Sequence, residues 1–217
     1  MMWGLLNRPR RKSKSAPKRT FRPILEALEA RNCPSPVITS FSANPTNGPG
    51  SRQVELKGTV SDFNPQMDTV TFTGQVGGQT TPDFNGNFDY VGSAGGLGTV
   101  TAVATTYITS YMAPMKISSA PVTATITDAA PVITSFSVIQ GSGGTWTFSG
   151  HVSDEAPYGI VVQFGGAWQA MGLNASCDGS GNFKATFFLP TLTSGSVTAQ
   201  CMDVWGLLSN TVIDPIV

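Results

Sequence analysis

The chain has 217 residues, enough for two small domains, and its 13 basic and 13 acidic side chains sum to zero net charge. That zero hides an asymmetry. Residues 1–35 carry nine Lys and Arg against Glu26 and Glu29, a net +7, whereas the rest carries four against eleven, a net −7. One histidine excludes a multi-histidine metal centre within one chain, and 24 Gly with 15 Pro and only 12% charged residues point to a turn-rich β protein.

Residues 8–19 (Arg8, Arg10, Arg11, Lys12, Lys14, Lys18 and Arg19 among them) have high charge and almost no large apolar side chain, the composition of a disordered segment. A short helix is predicted over about 22–31. Thr20 can cap it, Pro23 is tolerated in its first turn, and Phe21, Ile24, Leu25 and Leu28 share one face before Pro34 and Pro36 stop it. Met1–Leu6 is too short for the apolar core of an ordinary secretory signal. No stretch supplies 18 apolar residues, so no membrane-spanning helix is predicted. A basic tail also binds phosphate, but the remainder of the chain is acidic and offers no basic groove, which argues against nucleic acid.

Beyond residue 35 the chain repeats itself. Pro36-Val37-Ile38-Thr39-Ser40-Phe41-Ser42 returns as Pro131-Val132-Ile133-Thr134-Ser135-Phe136-Ser137. Lys57–Asp62 then matches Ser149–Asp154, Asp83–Phe88 matches Asp178–Phe183, and Gly98–Ala102 matches Gly195–Ala199. The offset changes only between blocks, where loops absorb insertions. Val54, Leu56, Gly58 and Val60 alternate with Glu55, Lys57, Thr59 and Ser61, and Trp146, Phe148, Gly150 and Val152 keep that phase, so each block reads as a strand with one buried face. Asn85-Gly86, Gly143-Gly144, Gly165-Gly166 and Ser180-Gly181 punctuate them as turns. About seven short strands in roughly 90 residues, twice over, is the pattern of a β-sandwich. The expected organisation is a leader over 1–35, one sandwich over 36–128 and a second over 131–217.

Each copy resembles a bacterial immunoglobulin-like domain of large surface and secreted proteins. The family pattern runs as Pro-x-Ile-x-x-Phe, Gly-x-Val-x-Asp, Asp-x-x-Gly-x-Phe and Gly-x-Val-Thr-Ala. Asp203-Val204-Trp205-Gly206-Leu207-Leu208-Ser209-Asn210 resembles the family's last hairpin; the first copy departs there, with Thr106-Tyr107-Ile108-Thr109-Ser110-Tyr111. The resemblance implies an immunoglobulin-like fold and leaves function open. Residues Phe21–Arg31, followed by Pro34-Ser35, resemble the N-terminal tag of many planctomycete exported proteins, which implies export or surface targeting. The chain stops at Val217 just after its last predicted strand, so attachment is expected through the leader or a partner.

Three cysteines occur. Cys177 and Cys201 lie in the second copy, where the first has Pro82 and Ala104; Cys33 closes the leader. Joint presence in one copy and joint absence from the other fits a Cys177–Cys201 disulfide, and equally two buried thiols packed as small hydrophobes. A disulfide would argue for an oxidising compartment.

Catalytic chemistry finds little support. His151, with Thr59 as counterpart, has no cysteine or acidic partner at a motif spacing and reads as a surface strand residue. Neither a Gly-x-Ser-x-Gly elbow nor a phosphate-binding loop occurs. Asp154 and Glu155 are adjacent and, in a strand, would point apart. Asp83, Asn85, Asn87 and Asp89 alternate like the start of a calcium loop. Yet glycine comes at the fourth position rather than the sixth, Ala94 stands where a Glu is needed, and Lys184 replaces Asp89 in the other copy; an Asn-Gly hairpin turn accounts for the same residues without a metal. Trp146, Trp168 and Trp205 all fall in the second copy, where an exposed row would stack on sugar rings, although Trp146 is in phase with the core.

The expectation is an exported, cell-surface or extracellular structural or adhesion module without catalysis or cofactor. Its partners would be other surface proteins or envelope polymers, glycan included, met through loops or sheet edges. The alternative is a carbohydrate- or calcium-binding accessory module.

Overall fold

The computed structural model describes residues 35–217 apart from 47, 49, 110–113, 191–193 and 217. The leader, its short helix over 22–31 and Cys33 lie outside the described residues.

The chain is all-β. Eight strands form the first repeat: β1 Val37–Pro45, β2 Gln53–Ser61, β3 Thr69–Gly74, β4 Gly78–Thr80, β5 Asn87–Ser93, β6 Gly98–Thr109, β7 Pro114–Ser118 and β8 Val122–Ile126. Seven form the second: β9 Val132–Gln140, β10 Thr145–Ser153, β11 Val161–Gly166, β12 Asn174–Ser176, β13 Asn182–Phe188, β14 Gly195–Met202 and β15 Val212–Ile216. Both repeats stack a three-stranded sheet on a larger one. The small sheets run β1-β2-β5 and β9-β10-β13; the larger run β4-β3-β6-β7, with β8 also on β6, and β12-β11-β14-β15, every pair antiparallel. This is the β-sandwich that the alternation predicts, in the immunoglobulin-like form that the family resemblance implies.

The buried faces are those the period-two pattern selects. Val54, Leu56 and Val60 point inward on β2, and Trp146, Phe148 and Val152 on β10. Each sandwich has its own core, and the two cores are built alike. Phe41 stacks on Phe72 with ring centroids 5.9 Å apart, as Phe136 stacks on Phe164 at 5.9 Å, and Phe88 and Phe183 complete each cluster. The glycine in Gly-x-Val is required by this packing. A Cβ on Gly150 would lie 2.2 Å from the Ser135 carbonyl oxygen and 2.4 Å from the Phe183 ring, and a Cβ on Gly58 meets Ser40 and Phe88 at the same distances.

The repeats differ at the last hairpin. In the second, β14 turns through Asp203–Leu208, and the Ser209 hydroxyl accepts from the Cys201 amide at 3.0 Å while donating to the Asn210 carbonyl at 2.7 Å. In the first, β6 runs on and returns as β7, and Ser119 then does the same work: its hydroxyl accepts from the Ala104 amide at 3.0 Å and donates to the Ala120 carbonyl at 2.9 Å. The departure in sequence at 106–111 is thus a longer hairpin inserted before a retained serine clamp.

Candidate functional site

The Asp83 segment is a turn. Gly86 takes φ +84, and Asp83 Oδ1 accepts from the Asn85 and Asn87 amides at 2.9 and 2.8 Å. Those amide donors, Asn87 first, hold the Asp83 carboxyl below the usual carboxylate range. Asp178 repeats the arrangement, accepting from Ser180 and Asn182, and is depressed for the same reason. Asp89 lies on β5, directly across from Lys57, with the ammonium 3.8 Å from its carboxylate. The four alternating residues are thereby divided between a turn and a strand pair rather than aimed at one point.

His151 lies on β10, half-buried, with Nδ1 2.9 Å from the Thr134 hydroxyl. Cys177 and Cys201 are free thiols buried in the second core. Burial pushes the Cys177 thiol up to about 12, with Cys201 contributing, and raises Cys201 as well. Neither is a ready nucleophile. Trp146 and Trp168 are 2% and 4% exposed and pack edge to face at 4.9 Å, so the tryptophans do not form an exposed row for sugar stacking.

What the sequence reading missed lies where the two sandwiches meet. Trp205, in the turn after β14, packs against the core of the first repeat. Arg52, beside β2, reaches across and donates from Nε to the Val204 carbonyl at 2.7 Å and from a terminal nitrogen to the Gly95 carbonyl at 3.0 Å. Beneath this contact a small cavity is lined by Gly48, Ser51, Trp205 and four acids: Asp128 from the segment joining the sandwiches, Asp154 and Glu155 from the turn after β10, and Asp203 from the turn after β14. Asp154 and Glu155 do not point apart as a strand pair would. β10 ends at Ser153, and both residues border the same cavity.

Two of the acids are half satisfied. Asp154 Oδ1 accepts from the Ala156 amide and Asp203 Oδ1 from the Leu207 amide, each at 2.8 Å, so each Oδ1 closes a local turn. Their Oδ2 atoms are buried with no hydrogen-bond partner among the described residues. Asp203 is only 7% exposed. Burial, with Glu155, Asp203 and Asp154 nearby, pushes the Asp128 carboxyl up to about 7, and burial raises Asp154 too. The ion pairs among the described residues involve Lys57, not these acids. Asp154 closes the second Gly-x-Val-x-Asp motif and Asp203 opens the last-hairpin motif; that both border one cavity is seen only in the structure.

These features define two immunoglobulin-like sandwiches of antiparallel strands joined through an acidic junction. The fold is similar to the D0-D1 domain of Intimin (17% identity, 81% of this chain and 97% of that one, TM-score 0.27). It is also similar to the fibronectin(III)-like modules of Clostridium thermocellum CbhA (15%, 83% and 92%, TM-score 0.30) and to the human OSCAR ligand-binding domain (12%, 84% and 98%, TM-score 0.34). No family model and no curated protein matches the chain. Among the described residues no helix is long and apolar enough to cross a membrane.

Proposed function

We propose that this protein is an exported, non-catalytic structural or adhesive module of the cell surface or extracellular matrix. Its two separately cored domains, over 36–128 and 131–217, serve as a spacer, and the basic leader serves for export. The observation that carries the reading is the junction. Trp205 inserted against the neighbouring core, and Arg52 bonded to Val204, join the sandwiches into a unit that can bear load or present loops at a fixed spacing. Other surface proteins or envelope polymers are the natural partners for such loops and for exposed sheet edges.

The test is the location and effect of the native protein. Intact mass from separated cell fractions is expected to find it in the envelope or medium, shortened near residue 35, and deletion is expected to weaken cell-to-cell cohesion. A full-length cytosolic species would overturn the reading. The same spectra decide whether Cys177 and Cys201 become bonded after export, since a disulfide adds about two daltons on reduction.

A further inference from the structure

The duplication lets each pole of one sandwich be compared with the same pole of the other. The turn after β10, Asp154–Ile160, faces the first sandwich: Glu155 and Ala156 border one cavity with Gly48 and Ser51, and Tyr158 and Gly159 border another with Gly50. Its counterpart in the first repeat is Asp62–Asp68, with Pro65 in the place of Pro157. That turn packs beside the Asp83 turn, since the Val60 amide donates to the Gly86 carbonyl at 2.8 Å and a Cβ on Gly86 would lie 3.7 Å from Pro65. Phe63, Met67 and Phe84 stand at this pole where the second repeat has Glu155, Gly159 and Gly179. The opposite poles show the same inversion. Ile139 and Phe188 of the second repeat stand where the first has Asn44 and Ser93. Phe188 pairs with Thr145 at the end of β13, beside Gly144 in the turn that corresponds to the Gly48–Ser51 turn of the junction. All five apolar side chains are between 61% and 95% exposed. Each pole that meets its neighbour within the chain is thus polar or glycine at these positions, and each pole without a neighbour among the described residues is apolar. Water alone would favour the reverse.

We propose that the two apolar poles are the halves of an interface between copies of this chain. The pole bearing Phe63, Met67 and Phe84 on one copy receives the pole bearing Ile139 and Phe188 on the next. This repeats between chains the end-to-end contact that joins the sandwiches within one chain, where the same turn of one repeat meets the opposite pole of the other. The two surfaces differ, so the contact is head-to-tail, each added copy offers a fresh pole, and growth is open. The turn Gln140–Thr145 and the segment Phe188–Ser194 contain no charged residue, so nothing there repels Asp62 and Asp83 on the facing pole. Five side chains are few against the roughly 20–30 residues a side of a stable complex, so the single contact is weak and association depends on concentration. The inference rests on the spacer reading, but its test in purified protein is independent of where the cell places the chain.

The experiment follows the full chain by sedimentation velocity from about 10 µM to about 1 mM. The weight-average sedimentation coefficient is expected to rise with concentration and to pass the value of a dimer without a plateau. Phe63→Glu with Phe84→Gly removes one pole, and Ile139→Asn with Phe188→Ser removes the other. Each change replaces an exposed side chain by its own counterpart in the other repeat, so far-ultraviolet circular dichroism is expected to stay the same. Each double variant alone is expected to associate at least about tenfold more weakly. Their equimolar mixture retains one intact pole of each kind and is expected to form a dimer and nothing larger. A full chain that stays monomeric throughout would overturn the proposal and leave its apolar poles to a foreign protein. Association that survives both double variants, association lost in only one of them, or a mixture that forms no dimer would overturn it as well.

Discussion

Asp68 offers a test of how this fold handles a buried charge. It precedes β3, is 1% exposed, and neither carboxyl oxygen has a hydrogen-bond partner among the described residues. Burial pushes its pKa up from 3.8 to about 6, and the Asp62 carboxylate adds to the rise. Because the folded-state pKa is raised, the fold favours the protonated acid. Its stability is full below the unfolded pKa near 4, falls as pH rises through about 6, and is constant above that. A shift of roughly two units corresponds to about 3 kcal/mol lost by pH 7. Asp68→Asn keeps the shape and removes the charge. Urea unfolding of both proteins at pH 4, 5, 6 and 7 is expected to give equal stability at pH 4 and an advantage for the variant that grows to as much as about 3 kcal/mol at pH 7. Titrating groups that do not interact with Asp68, as Asp62 does, act in both proteins and cancel in the difference. A difference that does not change with pH would refute the reasoning.

Further outcomes follow from the same packing. Gly150→Ala forces a methyl to within 2.2 Å of the Ser135 carbonyl oxygen and should destabilise the second sandwich by at least about 1–3 kcal/mol in denaturant unfolding. Asn210→Ala removes the side chain that accepts from the Ile133 amide at 2.8 Å and donates to the Ile133 carbonyl at 3.1 Å. Its expected cost is about 1–3 kcal/mol, with hydrogen exchange at Ile133 accelerated. Cys177, buried and with its pKa raised, should resist alkylation at pH 8 until the protein is unfolded, as read by mass spectrometry. Trp205→Ala should loosen the junction while leaving each core intact, seen as a larger radius of gyration in solution scattering with little change in far-ultraviolet circular dichroism.

Much of this protein is written in local patterns. The duplication, the inward phase of Val54, Leu56, Trp146 and Phe148, and the turn at Asp83–Asn87 were all legible, because strand alternation and turn chemistry depend on residues a few positions apart. The first repeat's last hairpin was legible only as a departure. That Ser119 takes the place of Ser209 becomes visible once β7 returns the chain to Ala104. The acidic junction was decided by tertiary structure alone. Asp128, Asp154 and Asp203 lie 26 and 49 residues apart in sequence, and meet because the poles of two sandwiches abut and Trp205 crosses into the neighbouring core. Periodicity tells which face of a strand is buried; it carries no information about which loops come together at its end.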